Sequence, residues 1–371
     1  MTDTAPATEL DPGVELLPDV PIPGPDADAL GRGPVAARLV ELACAQPVEQ
    51  PRVVALVASA GAGKTSVLRL VAARLDGRGD CGAVHLDAAD HATGEALRTA
   101  LVEQLLAFFT AAGVVEAKDA VRDKLARHGT VVSGVARLAG VKVDVGTALR
   151  RSSQEAVDEI AGLTHAVGRR LAIVIDHLDR MAIDEVAAAL AALRPYATLP
   201  YVTIVLAIDR RATRLRLAAR GGGEALDRLV GVELAVPPAD PRRLARLVGR
   251  GLARASNRLD RDLDAALALF DPDGDDPVAL ALLDTPRDAL RVVNALTAAL
   301  PLIAPDVDLR DACLELVLRL LVPELDTPRL DADRRRHPAG RAAARAELIP
   351  LVAASPRAAA ACHALRALLG G

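Results

Sequence analysis

Val53-Val54-Ala55-Leu56-Val57-Ala58-Ser59-Ala60-Gly61-Ala62-Gly63-Lys64-Thr65-Ser66 decides the fold. Val53–Val57 is a continuous apolar run, the pattern of a strand buried on both faces. After the glycine-rich turn, Ser66–Leu75 places Val67, Leu68, Leu70, Val71 and Leu75 on one side of a helix. Between such elements, Ala58–Ser66 reads as a phosphate-binding loop. A triphosphate offers many acceptor oxygens and several negative charges, so it needs N–H donors, a cation and a metal. Glycines let the backbone curl with its N–H groups inward, and the helix that follows adds its positive N-terminal end. Lys64 is expected to reach the β- and γ-phosphates, and the Thr65 hydroxyl to ligate Mg²⁺. Ala58, Ser59, Ala60, Gly61, Ala62, Gly63 and Ser66 complete the cradle, with ATP the expected nucleotide. The strict pattern has Gly at position 58, where Ala costs about 1 kcal/mol if a positive φ is required. The only other lysines are Lys118, Lys124 and Lys142. In so lysine-poor a chain, Lys64 in a glycine-rich turn points to function.

Outward from this stretch, strands and helices alternate. Ala83–Leu86 reads as a short strand, Leu171–Ile175, Val202–Ile208 and Val232–Val236 as further buried strands, and Gly94–Phe109, Gln154–Val167 and Asp184–Leu193 as helices. Residues 113–152 are less regular, with a charged helix at Ala117–Arg127 and an alternating piece at Val141–Val145. Apolar strands alternating with helices predict an α/β core whose parallel sheet is covered on both faces. After Pro237-Pro238 the pattern becomes all-helical, over Arg242–Ser256, Asp262–Phe270, Pro286–Ala299 and Val307–Leu321. The expected organisation is a flexible tail at 1–19, a core at 20–240, a helical lid at 241–325 and an Ala/Arg-rich helical segment at 326–371.

Three more stretches carry candidate chemistry. Leu171-Ala172-Ile173-Val174-Ile175-Asp176-His177-Leu178-Asp179-Arg180 ends a buried strand in an acid. Downstream of a phosphate loop, Asp176 is the expected metal-side acid; Asp179 is either a second acid or a helix cap. The next strand ends in Ile208-Asp209-Arg210-Arg211. If it lies between the loop strand and the acid strand, Asp209 can orient water and Arg210 or Arg211 can stabilise transferred charge, against the plainer reading of surface ion pairs. In Thr285-Pro286-Arg287-Asp288, Thr285 suits a helix N-cap and Pro286 the first helical position, which puts Arg287 in the first turn, able to reach back to nucleotide.

Composition narrows the partners. Net charge is −4, so nucleic acid and acidic membranes are not expected targets. Arg334-Arg335-Arg336 has no interleaved aromatic residue and reads as a solvated face. Cys44, Cys81, Cys313 and Cys362 lack metal-site spacing and read as reduced thiols of a cytoplasmic protein. No leader is visible at the acidic, Pro-rich start. No apolar stretch approaches the roughly 20 residues of a membrane helix. Asp271-Pro272-Asp273-Gly274-Asp275-Asp276 imitates a calcium loop, but its glycine is early and Leu282 stands where the bidentate Glu belongs.

The ordered set of motifs resembles the KAP family of P-loop NTPases, a branch of the class that includes the AAA+ ATPases. The likeness begins at Asp19-Val20-Pro21-Ile22 and Asp28-Ala29-Leu30-Gly31-Arg32. It runs through the loop, the Asp176–Arg180 run and Leu206–Arg210 to Leu226-Asp227-Arg228-Leu229, Val236-Pro237-Pro238, Thr285-Pro286-Arg287 and Asn294-Ala295-Leu296. The resemblance implies that Gly31 and Arg32 lie where the base binds. It implies a signalling or defence switch and names no partner; ATP bridging core and lid is expected to expose or create a surface for a protein partner or a second copy. Many members carry membrane helices between loop and acid strand; here Val131–Val145 is interrupted by Arg137, Lys142 and Asp144, and no insertion is expected. The family has a second acid after Asp176, its presumed catalytic base, and this chain has His177. Slow hydrolysis, or none, is the expected consequence.

Overall fold

The computed structural model describes residues 16–47, 50–76, 78–113, 161–219, 222–259, 263–303, 307–325, 338–353 and 355–369. The expected helix Ala117–Arg127, the piece Val141–Val145, the first part of the helix expected at Gln154–Val167 and Arg334–Arg336 lie outside the described residues. The chain divides into two compact units, Pro21–Pro237 and a second made of Met1–Val20 with Pro238–Gly371.

The first unit is built on β1 (Arg52–Val57), β2 (Cys81–Asp87), β3 (Arg170–Asp176), β4 (Val202–Ile208) and β5 (Val232–Ala235). They form one parallel sheet in the order β2-β3-β4-β1-β5. The central strands are mostly apolar because both faces are covered; the polar residues buried in them are Arg170 and Thr203, which bond each other at 2.9 Å, and Asp176 at the end of β3. Val53, Ala55, Leu171, Ile173, Ile175, Ile204 and Leu206 face one core, shared with α3 (Gly94–Ala111) and α4 (Ile183–Leu193). Val54, Leu56, Ala172, Val174, Val205 and Ala207 face the other, shared with α1 (Gly33–Ala43) and α2 (Lys64–Leu75). Alternate residues thus serve opposite faces, and no polar face remains to show a period of two.

Two expectations need correction. The fifth strand is not buried: β5 pairs only with β1 at the sheet edge, and Val232, Glu233 and Ala235 are exposed. The second strand does not stop at Leu86; it continues through Asp87, which stands opposite Asp176 in the β2–β3 register. That extra residue brings an acid to the end of the sheet where the loop lies.

After β4 come α5 (Arg210–Ala218) and α6 (Ala225–Leu229). The second unit contains α7 (Pro241–Leu259), α8 (Asp264–Ala268), α9 (Pro286–Ala299), α10 (Leu309–Leu321), α11 (Pro338–Val352) and α12 (Ala358–Leu369). Its core includes Leu244, Val248, Leu252, Val292, Leu296, Leu314, Val317 and Leu365. Thr285 caps α9 reciprocally: its Oγ1 accepts the Asp288 N–H at 3.2 Å, and Asp288 Oδ2 accepts the Thr285 N–H at 3.0 Å. The chain just before the first unit is tied to the same helix, since the Leu17 N–H donates to Asn294 Oδ1 at 2.7 Å and Asn294 Nδ2 donates back to the Leu17 carbonyl at 2.9 Å.

Candidate functional site

The loop between β1 and α2 is shaped by two glycines in left-handed conformations, Gly61 at φ 81° and Gly63 at φ 97°. A Cβ would strain both positions. Gly63 is the N-cap of α2, which starts at Lys64, two residues earlier than the apolar periodicity suggested. Ala58 behaves differently. Its N–H donates to the Ile208 carbonyl at 3.2 Å, prolonging the β1–β4 ladder. Among the described residues only His177 and Tyr201 have positive φ without being glycine. Alanine at position 58 therefore carries no backbone penalty.

Lys64 is held inside this loop. Its Nζ donates to the carbonyls of Ala58 at 2.9 Å and Ser59 at 3.2 Å, with Asp179 Oδ2 at 4.0 Å. Burial pushes its pKa below the ordinary lysine value. Asp179, Asp209 and Asp176 oppose the shift, and Arg180 adds to it. The ammonium thus sits desolvated among carbonyl oxygens and carboxylates, an environment to which phosphate oxygens are chemically equivalent. Asp179 is itself largely enclosed, and its Oδ1 is buried without a hydrogen-bond partner.

Thr65, one residue into α2, joins the loop to the end of β3. Its Oγ1 donates to Asp176 Oδ2 at 2.7 Å and lies 3.1 Å from His177 Nε2. The other Asp176 oxygen accepts the His177 N–H at 2.8 Å. His177 adopts φ 55°, a left-handed conformation open to few side chains other than Gly, Asn, Asp and His. Its Nδ1 lies 2.7 Å from Asp87 Oδ2 at the end of β2. The sequence reading did not single out Asp87. The same signal that marked Asp176, an apolar run ending in an acid, is present in Ala83-Val84-His85-Leu86-Asp87.

The remaining candidates divide. β4 does lie between β1 and β3, so Asp209 comes up beside the loop, and its carboxylate is among the charges acting on Lys64. Asp209 Oδ1 also caps α5 by accepting the Ala212 N–H at 3.0 Å. Arg210 is paired with Asp227 and Glu233, and Arg211 is exposed. Arg180 is the cation of this stretch that acts on Lys64, and it is exposed. Gly31 takes a left-handed φ of 67°, and Arg32 follows it buried. Arg32 donates to the Pro237 carbonyl at 2.5 Å and the Ala62 carbonyl at 3.2 Å, so its guanidinium braces the loop from beneath. Asp28 fixes that turn by accepting the N–H groups of Arg32 and Gly33 at 2.9 and 2.8 Å. Ser66 Oγ accepts the Ile22 N–H at 3.3 Å. Arg287 belongs to the second unit, where its Nε donates to Asp19 at 2.6 Å.

The loop glycines, buried lysine and threonine–aspartate bond agree with an independent comparison of the sequence: residues 32–303 match the KAP family P-loop domain. The chain belongs to the KAP family of P-loop NTPases. No curated protein matches the sequence. Among solved structures this KAP chain is similar to the Aeropyrum pernix ORC2 protein in its ADPNP–ADP complexes. That pair shares 13% identity, covers 95% of this chain and 88% of the other, and has a TM-score of 0.39. The Aeropyrum pernix ORC1 protein in complex with DNA follows, with 19% identity, 90% and 72% coverage and a TM-score of 0.38. A RuvB variant from Thermotoga maritima has 14% identity, 86% and 82% coverage and a TM-score of 0.33. Likenesses this distant carry nothing about ligand or activity. Among the described residues no helix is long and apolar enough to cross a membrane.

Proposed function

We propose that this KAP protein is an ATP-dependent conformational switch that hydrolyses its nucleotide slowly. The observation that carries the reading is the Lys64 ammonium, buried in the glycine loop against the Ala58 and Ser59 carbonyls with Asp179 beside it. Its Nζ is held in place before any ligand arrives, so little side-chain freedom is lost on binding phosphate. The residues also suit Mg²⁺. A hard cation takes oxygen ligands and waters, and the hydroxyl of Thr65 with the carboxylate of Asp176 supplies an adjacent oxygen pair. When bound, the metal neutralises phosphate charge. Gly31 and Arg32 are the proposed neighbours of the base, and ATP rather than GTP is the proposed nucleotide.

His177 supports the slow rate. Its place is that of the family's second acid, and an imidazole gives the attacking water no carboxylate to lean on. Asp209 is the proposed water-orienting neighbour, and Arg287 of the helical lid at 241–325 the proposed γ-phosphate contact. The lid would exchange its partners with the state of the nucleotide, exposing a surface for a protein partner or a second copy in signalling or phage defence. The same histidine favours one second reading, a nucleotide-binding scaffold with no turnover. An AAA+-like remodelling ring is separated from both by solution mass with and without ATP.

The test is calorimetric binding of ATP to the parent and to Lys64→Ala, followed by hydrolysis by the parent and by His177→Asp. Lys64→Ala should weaken ATP by at least about 2 kcal/mol, some thirtyfold in Kd. Aspartate tolerates left-handed φ, so His177→Asp should fold, and it should hydrolyse faster than the parent. Unchanged ATP binding by Lys64→Ala sinks the site, and fast parental turnover abolished by His177→Asp sinks the slow switch.

A further inference from the structure

Two sulfur atoms lie at the end of the sheet away from the phosphate loop, and the nucleotide reading uses neither. Cys44 is the C-cap of α1, and Cys81 is the first residue of β2. Buried hydrogen bonds draw their chain segments together. Arg170 stands opposite Cys81 in the β2–β3 register, and its N–H donates to the Asp80 carbonyl at 3.0 Å. Its Nη1 donates to Thr203 Oγ1 at 2.9 Å, and that hydroxyl donates in turn to the Ala43 carbonyl at 3.0 Å. One buried arginine thus fastens the segment ending in Cys44 and the segment opening with Cys81. Both side chains belong to one apolar cluster, and the two thiols hydrogen-bond each other.

The pair is chemically unequal. Cys44 is partly exposed, whereas Cys81 is buried. The Cys81 S–H has two acceptors in reach, the Gly82 carbonyl at 3.6 Å and the Cys44 sulfur. A thiolate is the stronger acceptor, so the bond favours an ionised Cys44. It holds the Cys44 pKa below the ordinary thiol value; Arg78 and Arg170 act the same way, against burial and Asp80. The same bond pushes the Cys81 pKa up, helped by burial and by the charges of Cys44 and Asp80.

We propose that Cys44 and Cys81 form a peroxide-reactive dithiol, with Cys44 the attacking sulfur and Cys81 the sulfur that resolves it into an intramolecular disulfide. The accessible, ionised thiol beside a second cysteine is the arrangement that such oxidation requires. The Cys44 sulfur attacks one oxygen of hydrogen peroxide. The O–O bond breaks, its electron pair leaves on the other oxygen, and that oxygen takes up a proton to become water. Cys44 is now a sulfenic acid. The Cys81 sulfur then attacks the Cys44 sulfur, the S–O bond breaks, and the departing oxygen takes the Cys81 proton and leaves as a second water. The two thiols have lost two electrons and the peroxide has gained them. β1, the phosphate loop and α2 all lie between the two cysteines in the chain, so the disulfide closes a covalent ring around the phosphate-binding element.

The test treats the full, reduced chain with hydrogen peroxide and follows intact mass, disulfide mapping and thermal melting. The parent should lose two hydrogens and yield a Cys44–Cys81 bridged peptide, with Cys313 and Cys362 still thiols, and dithiothreitol should reverse the change. The oxidised chain should melt several degrees above the reduced one, because the ring restricts the unfolded chain. Before oxidation, iodoacetamide near neutral pH should label Cys44 about tenfold faster than Cys362, which is also partly exposed, since a depressed pKa raises the thiolate fraction. Cys81→Ala removes the donor and the resolving sulfur together. Its Cys44 should label more slowly than the parent's, and peroxide should leave there a sulfenic acid that dimedone traps. Cys44→Ala should leave Cys81 a thiol at the same peroxide concentration.

The mapping and labelling are read on the parent, so they stand even where a variant fails to fold. A bridge to Cys313, to Cys362 or between chains overturns the inference, as does a parent that forms no disulfide. Labelling of Cys44 no faster than that of Cys362, or oxidation of Cys81 in Cys44→Ala, overturns the assignment of roles. A disulfide that lowers the melting temperature shows that the two residues are not placed to accept the bond, and overturns it too.

Discussion

Thr65→Val removes one hydroxyl from the centre of the site and keeps the shape of the side chain. In the parent that hydroxyl donates to Asp176 Oδ2 at 2.7 Å, and Asp176 is buried. The variant leaves Oδ2 without this donor, while Oδ1 keeps the His177 N–H at 2.8 Å. Hydrogen bonds to charged groups contribute about 1.5–3 kcal/mol. With half the carboxylate still satisfied, the loss should be near 2 kcal/mol, a fall in melting temperature of about 4–8 °C for a unit of this size. Binding should change selectively. In EDTA, ATP affinity rests on the loop N–H groups and Lys64 and should stay within about threefold of the parent, well under the 1.4 kcal/mol of a tenfold change. In Mg²⁺ the variant should lack the parent's gain in affinity, because the oxygen pair that suits the cation is broken. Thr65→Ser, which restores the hydroxyl, should recover both properties. Thermal melts with calorimetric titrations of ATP in EDTA and in Mg²⁺ measure the effect. A Thr65→Val protein with the parent's full Mg²⁺ gain, or one equally weakened in EDTA, would refute the pairing of Thr65 with Asp176 as the cation's seat.

Burial lowers the Lys64 pKa from the ordinary 10.5, so the folded chain releases that proton at a lower pH than the unfolded chain does. The parent should therefore gain stability relative to Lys64→Met as pH climbs through the lowered value toward 10.5, and melts showing a constant difference over that range would contradict it. Arg287→Ala should shrink the gap between ATP and ADP affinities and leave ADP binding nearly intact. Its half-exposed pair with Asp19 contributes no more than about 1 kcal/mol, so equal weakening of both nucleotides, measured by titration, speaks against a γ-phosphate contact.

The fold was legible where one physical cause dominated. Leu171–Ile175 and, apart from Thr203, Val202–Ile208 are apolar because both faces of a central parallel strand are buried, and their positions follow within a residue. β5 misled for the same reason. Val232, Leu234 and Val236 are apolar, yet the edge of the sheet exposes much of the strand, and the composition of four residues does not record which neighbours a strand has. β2 was cut short at Leu86 because its mixed burial weakens the apolar run. The start of α2 was set by the glycine turn, which no hydrophobic period can show: Gly63 caps the helix, and Lys64 and Thr65 are already in its first turn.

The site was legible in its chemistry and less so in its wiring. Lys64, Thr65 and Asp176 were readable because each residue type has a job that depends on its place after a strand or a glycine turn. The Arg32 contact with the Ala62 carbonyl spans 30 residues and the Asp87 contact with His177 spans 90. Both depend on strand order and register, which a linear pattern does not contain. Asp87 shows what this concealment changes. Read alone, His177 is a lost acid, and the inference stops at impaired hydrolysis. The parallel register sets a second carboxylate against the far side of the imidazole. A substitution at one strand end therefore has to be judged together with the residue at the end of the neighbouring strand.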